Sequence, residues 1–314
     1  MKKICIGTRG SQLALWQANW VKSRLEEWNP GIEVEIKKIK TTGDKILNVP
    51  LAKVGGKGLF VKEIEEALLY EKIDAAVHSM KDVPTELPKG LCISAIVKRE
   101  DPRDVLISKD GAGLKELKKG ARIGTSSLRR QVQLLNFRSD FEIHQLRGNV
   151  NTRINRLERG DFDVIILAAA GVKRMGWEDK ITEYLPYEIF LPAIGQGSIG
   201  IEIRESDGDV RNIINRFNHR ETSLCVRAER AFLKRLEGGC QVPIAALGTI
   251  NRSAIKLDGL VASVDGKIVH RDSEIDEDDR VEELGIRLAE KLLNRGADKI
   301  LKEVYGIKGT VLFN

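Results

Sequence analysis

The chain has 314 residues, 42% of them hydrophobic and 31% charged, the make-up of an ordinary globular protein with room for two or three domains. No apolar run reaches the ~18–20 residues that cross a bilayer, and the opening MKKICIG breaks at once into TRGSQ, which excludes a secretion signal and leaves a cytoplasmic address as the expectation. The formal charge of +6 is unevenly spread: residues 121–175 hold ten Lys/Arg against five Asp/Glu, while eight of the twelve residues at 272–283 are acidic, a pattern that suggests a local anion site rather than a uniformly basic coat.

In chain order, residues 3–7 (KICIG) read as a buried strand. Gln12 to Trp28 reads as an amphipathic helix, because Ala14, Ala18, Val21, Leu25 and Trp28 recur at spacings of four and three. A strand follows at 33–39. The Gly- and Lys-rich stretch from Thr41 to Gly58 has too little apolar content to pack and reads as a mobile loop. A helix at about 59–70 and strands at 73–78 and 91–97 complete the first region. The rhythm then restarts, with strands at 104–108, 121–124, 141–145 and 163–167 and helices at about 127–137 and 149–159. Such alternation argues for α/β units with largely parallel sheets. The crossing LPAIGQGSIGIE leads into a strand at 199–203 and a long helix at about 220–237. Strands near 244–250, 254–263 and 267–273, then a helix at about 279–294, suggest a small α+β domain at the end.

Polar motifs gather where strands end. In open α/β sheets, ligands bind beyond the carboxyl ends of the strands, where helix N-termini present free N–H groups. Here the strand ends run into Thr8-Arg9-Gly10-Ser11, Ser79-Met80-Lys81-Asp82, Thr125-Ser126-Ser127 with Arg129 and Arg130, and Arg147-Gly148-Asn149 with Arg153; the fourth strand of the second region leads through a small-residue turn to Lys173 and Arg174. Alone, Ser11, Ser127 or Asn149 reads as a helix cap. The arginines change the balance. A cation at a helix N-terminus opposes the macrodipole at ~0.3–1 kcal/mol each, which makes sense if an anion sits between the helix end and the guanidinium. Arginine's planar fork favours carboxylate or phosphate.

Nucleotides fit poorly. GGKGL at 55–59 lacks the earlier glycine and the Ser or Thr of a phosphate loop, and no GxGxxG follows the first strand. Nucleic acid fits the basic charge, but aromatics make up only 5% of residues and form no basic stacking stripe. Small carboxylates remain. Among reactive groups, Cys240 stands in EGGCQVP, where two glycines leave the sulfur accessible. Cys5, Cys92 and Cys225 read as core, and the four cysteines form neither a CxxC pair nor a zinc or disulfide pattern. Asp82 lies just past a strand end and could steady a cationic intermediate or pass protons to a leaving amine. His78 reads as structural, and no Ser/His/Asp pattern supports a hydrolytic triad.

The segments TRGSQLALWQA (8–18), AAVHSMKDVP (75–84), IGTSSLRRQ (123–131), LRGNVNTR (146–153), LAAAGVKR (167–174), LPAIGQGSIGIE (191–202) and EGGCQVP (237–243) resemble the porphobilinogen deaminase, or hydroxymethylbilane synthase, family. They span most of the chain in order. The resemblance implies two periplasmic-binding-protein-like α/β lobes and a small α+β C-terminal domain: residues 1–98 with 198–217, residues 102–193, and residues 220–314. It implies a transferase of tetrapyrrole and haem biosynthesis that joins four porphobilinogens head-to-tail, with loss of ammonia, into linear hydroxymethylbilane. The primer is a dipyrromethane cofactor in thioether linkage to Cys240, and no metal is needed. Asp82 would be the catalytic carboxylate. Arg9, Ser11, Lys81, Thr125, Ser127, Arg129, Arg130, Arg147, Arg153 and Arg174 would bind the acetate and propionate groups, with Lys53, Lys57 and Gln196 assisting. The segment GQGSIGIE departs from the family's usual small-residue choices, which bears on packing and not on chemistry. A cytoplasmic monomer that engages neither nucleic acid nor membrane is the expectation. The rival reading is a solute-receptor or effector-sensing domain, against which the third domain counts.

Overall fold

The computed structural model describes residues 2–45, 58–237, 242–252, 254–277 and 280–307. They fall into two units, one gathering the described residues of 2–45, 58–100 and 197–223 and the other those of 101–196 and 224–307. The expected loop from Thr41 to Gly58 lies mostly outside the described residues; its start forms one helical turn at Thr42–Lys45.

In the first unit, β1 (Lys2–Thr8), β2 (Ile32–Lys38), β3 (Ala75–Ser79) and β4 (Leu91–Ile96) are joined by the late strand β10 (Ile199–Arg204) in the order β2-β1-β3-β10-β4. β1 runs parallel to β2 and β3, and β10 lies antiparallel between β3 and β4. A parallel pair needs a crossover, and helix α1 (Gln12–Trp28) supplies the first. The spacing read from sequence is the spacing that packs: Ala18, Val21 and Leu25 are fully buried against Ile4, Ile6 and Val34, and Trp28 packs tilted on Phe217, ring centroids 4.7 Å apart. Helix α2 (Lys62–Leu69) covers β3 with Ile64, Ala67 and Leu68.

The second unit repeats the plan. β5 (Asp104–Ser108), β6 (Arg122–Gly124), β7 (Glu142–His144), β8 (Val164–Ala168) and β9 (Glu183–Tyr184) take the order β7-β6-β8-β5-β9, with β5 the antiparallel member. Helices α3 (Leu128–Phe137), α4 (Val150–Glu158) and α5 (Ala169–Arg174) follow β6, β7 and β8. The sequence reading had a small-residue turn where α5 lies. In the first unit, α6 (Gly208–Ile214) is capped by Asp207, whose side chain accepts from the Val210 amide.

The chain then enters α7 (Arg220–Arg235) and an antiparallel meander of β11 (Ile244–Asn251), β12 (Ala254–Ala262) and β13 (Val269–Glu277). Helices α8 (Val281–Leu292) and α9 (Asp298–Ile307) close a core of Phe232, Leu257, Val261, Leu284, Leu288 and Ile300. A second cluster joins Val132 and Leu191 to Ala245, Leu247, Leu260 and Ala262. The architecture is therefore mixed α/β, with two largely parallel five-stranded sheets and a small α+β end, as expected. Among the described residues no helix is long and apolar enough to cross a membrane.

Candidate active site

Parallel strands bring their carboxyl ends to one edge, and that edge positions the polar motifs. In the first unit β1 and β3 pair through Ile6–Ala75 and Gly7–Ala76, so Thr8–Ser11 and Ser79–Asp82 emerge side by side. Asp82 lies on a 3-10 turn, Met80–Asp82. The turn is seated from beneath: Met80 is buried, its N–H donates to Ser198 O at 3.0 Å, and Gly200 of β10 lies flush against it. A Cβ at Gly200 would collide with Met80 Sδ, so a larger residue there would force the buried Met80 side chain to move. Ser79 is held at 2.9 Å by Gln17 of α1. The carboxylate of Asp82 stays 36% exposed, open to a ligand.

Arg9 is the neighbour of Asp82. Its Nη1 lies 4.0 Å from the Asp82 carboxylate, while Nη2 and Nε donate to Asp44 Oδ1 at 2.5 and 3.2 Å. The guanidinium also stacks over Phe60, 4.3 Å from the ring centroid. Burial raises the Asp44 carboxyl, but Arg9 and then Thr41 outweigh it and hold the group below its usual range. Asp44 and Phe60 were not singled out in the sequence, because nothing local marks an acid that folds back on an arginine 35 residues away. Ser11 caps α1, its Oγ accepting from the Ala14 amide at 3.3 Å; a hydroxyl that accepts still has its own proton to donate. Lys81 is half-buried on the turn.

In the second unit β6, β7 and β8 deliver their motifs to one edge in the same way. Thr125 is buried, and its Oγ1 accepts from the Ser127 amide at 3.2 Å. Ser127 caps α3 by accepting from Arg130 N at 3.4 Å. Arg129 and Arg130 are buried and turn inward to a residue absent from the sequence reading, Asp104 at the start of β5. Arg129 Nη1 donates to Asp104 Oδ2 at 2.7 Å, and Arg130 donates to Oδ1 through Nη2 at 2.7 Å and Nε at 3.1 Å. Gln196 joins them, its Nε2 donating to Asp104 at 3.1 Å and to Pro102 O at 2.8 Å. Burial opposes ionisation of Asp104, but the two guanidiniums win and hold its carboxyl at about 2. Burial likewise pulls Arg129 below its ordinary value, yet a guanidinium 2.7 Å from a carboxylate stays charged.

The anion called for by arginines at this helix start is thus supplied in part from within the chain. Two guanidiniums share one carboxylate, and each also donates to a backbone carbonyl, Arg129 to Leu191 O at 2.7 Å and Arg130 to Ile166 O at 2.8 Å. Arg147 and Arg153 sit half-buried around Gly148, whose φ of +113° takes the left-handed turn that brings Arg153 Nε within 2.9 Å of Gly148 O. Burial pulls the Arg147 guanidinium down from its ordinary value. Asn149 caps α4, and Arg174 is half-buried at the end of α5. Lys53, Lys57 and Cys240 lie outside the described residues. Of the other cysteines, Cys225 is buried and Cys5 and Cys92 are half-buried. Among the described residues no three His, Cys, Asp or Glu side chains gather as metal ligands.

Each unit thus carries arginines beside the carboxyl ends of its parallel strands, and the first also carries the partly exposed Asp82. Residues 4–212 match the family described as "Porphobilinogen deaminase, dipyromethane cofactor binding domain", and residues 223–294 match "Porphobilinogen deaminase, C-terminal domain". The chain is 60% identical over 305 residues to a porphobilinogen deaminase of Geotalea uraniireducens, covering 97% of this chain and 96% of that one. It is 59% identical, at the same coverage, to the porphobilinogen deaminase of Geobacter sulfurreducens. A solved structure of the substrate binding domain of a putative molybdenum ABC transporter from Clostridium difficile is 11% identical, with a TM-score of 0.44 over 69% of this chain and 92% of that one. The chain belongs to the porphobilinogen deaminase family.

Proposed function

We propose that the chain carries out the family's reaction, joining four porphobilinogens head-to-tail into hydroxymethylbilane with release of ammonia, on a dipyrromethane held by Cys240. The dipyrromethane, when bound, would supply the free pyrrole α-carbon for the first unit, each added ring would present the α-carbon for the next, and water would release the finished tetrapyrrole from the primer. Its carboxylates suit the donor set: Arg129 and Arg130 carry more charge than Asp104 neutralises, Thr125 and Ser127 follow β6, Arg147 and Arg153 follow β7, Gln196 bonds Asp104, and Arg174 adds charge from the far end of α5. In the other unit Arg9, Ser11 and Lys81 receive carboxylates next to Asp82. Lys53 and Lys57 add charge from their loop.

Asp82 is the residue on which the chemistry turns. Positive charge develops on the substrate pyrrole as ammonia leaves, and a carboxylate fixed beside the ring nitrogen stabilises that charge and accepts a proton. The observation that carries this reading is the position of Asp82: half-exposed on a turn seated by the buried Met80, 4.0 Å from a guanidinium that is paired with Asp44. The chain works as a cytoplasmic monomer of three domains, divided near residues 98–102, 193–198 and 217–220.

Intact-protein mass spectrometry tests the attachment. Native protein should weigh more than its translated residues by one dipyrromethane, and Cys240→Ser should show the bare chain mass and no turnover. A native protein of bare chain mass that still turns over would sink the proposal. Arg147→Leu should raise KM about tenfold or more, the scale of one charge-assisted contact, with a smaller change in kcat. Unchanged KM and product distribution would remove Arg147 from the binding set.

A further inference from the structure

Three buried ionisable side chains lie beneath the Asp82 turn, outside the carboxylate-binding groups. Glu65 projects from α2, His78 from the end of β3 and Glu202 from the middle of β10; they are 7%, 5% and 1% exposed. His78 Nε2 lies 2.9 Å from Glu202 Oε2. The other oxygen of Glu202, and Oε1 of Glu65, are buried with no hydrogen-bond partner. Buried acceptors left so are rare because desolvation is uncompensated. Glu65 feels the charge of Glu202. Two carboxylates that cannot both ionise in one dry site take up a proton, and the protonated acid becomes the donor the other lacks.

We propose that Glu65 and Glu202 hold a single proton between them, with His78 closing the other side of Glu202, and that this proton latches α2 to the two strands that seat the Asp82 turn. The register supports the coupling. Gly200, which receives Met80, pairs with His78, and Glu202 pairs with Ala76 on the same two strands. Ionising both acids would place a second negative charge between α2 and this strand pair. Glu202 and His78 are the charged groups that act on Glu65. Burial chiefly raises both nearby thiols; after it, Cys92 on β4 feels Glu202 more weakly than Arg211, and Cys5 on β1 feels Glu35 and Asp74. Burial first, then the Glu202 charge, push the Glu65 carboxyl up to about 7, with His78 pulling the other way.

A carboxyl raised on folding adds stability that is full below its unfolded value near 4.5 and is lost as pH climbs to about 7. The test compares wild type with Glu65→Gln, whose amide can donate without titrating. Wild type at pH 6 should show the infrared band of a protonated carboxyl, and the variant should lack it. The wild-type Tm should fall relative to the variant between pH 4.5 and 7, then run parallel. Exchange at the Met80 and Val83 amides, corrected for intrinsic rates, should quicken several-fold above pH 7 in wild type alone. If Glu65→Gln does not fold, Glu202→Gln carries the same measurements. No carboxyl band at pH 6, or parallel Tm profiles throughout, would overturn the shared proton; unchanged exchange would overturn the latch. None of these readouts uses turnover, so they stand apart from the role of Asp82.

Discussion

Asp82→Asn is expected to lower kcat by about 10²–10⁴-fold, the range over which a positioned acid or base contributes. The amide has nearly the same shape, so the seat made by Met80, Ser198 and Gly200 is undisturbed. What changes is charge. Asparagine can neither balance the positive pyrrole nor accept its proton, and Arg9 loses one of the two carboxylates between which it stands. Stability should move by less than about 0.5 kcal/mol, as for surface changes that break no buried pair. Ammonia release at saturating substrate measures the first effect and thermal unfolding the second. Wild-type turnover in a folded variant would remove Asp82 from the chemistry.

The largest loss of stability is expected at Asp104. Asp104→Ala strips the carboxylate from two buried guanidiniums, Arg129 and Arg130, and removes an acceptor from Gln196. Breaking a buried pair by deleting one partner costs about 3–5 kcal/mol, because the remaining charge has nowhere to go. Asp104→Asn should lose less, since its amide oxygen still accepts. Acid should act in the same direction. A carboxyl held at about 2 stabilises the fold above its ordinary value near 3.8 and releases that contribution as pH falls toward 2. Calorimetry of both variants at neutral pH provides the check: equal Tm values for Asp104→Ala and wild type would show that the arginines find solvent or another anion.

Local signals were strong wherever one side of an element was apolar. The α1 period was readable because burial repeats with the helical turn, and the strand at 104–108 because a short β-branched apolar run buried on both faces stands between polar residues. The helix Ala169–Arg174 was not, since three small residues carry no amphipathic pattern. The strand Val269–Glu277 runs past the expected end at 273 because its acids are not solvated alone: Asp272, Glu274 and Asp276 are met by Lys291, Arg287 and Arg295 from the helices after it. In the site, the arginines announced a need for negative charge, but sequence could not say that Asp104 would answer part of it from across the sheet. His78 was read as structural, and its partner Glu202, 124 residues away, lay hidden in an apolar strand.

Strands β3 and β4 are bonded not to each other but to β10 on either side, and β10 follows β4 by about 100 residues. During synthesis at ~5–20 residues per second, the first sheet therefore waits roughly 5–20 s with its fourth place empty and the facing edges of β3 and β4 unpaired. A nascent chain halted before Ile199 is a natural client for chaperones that shield unpaired strands.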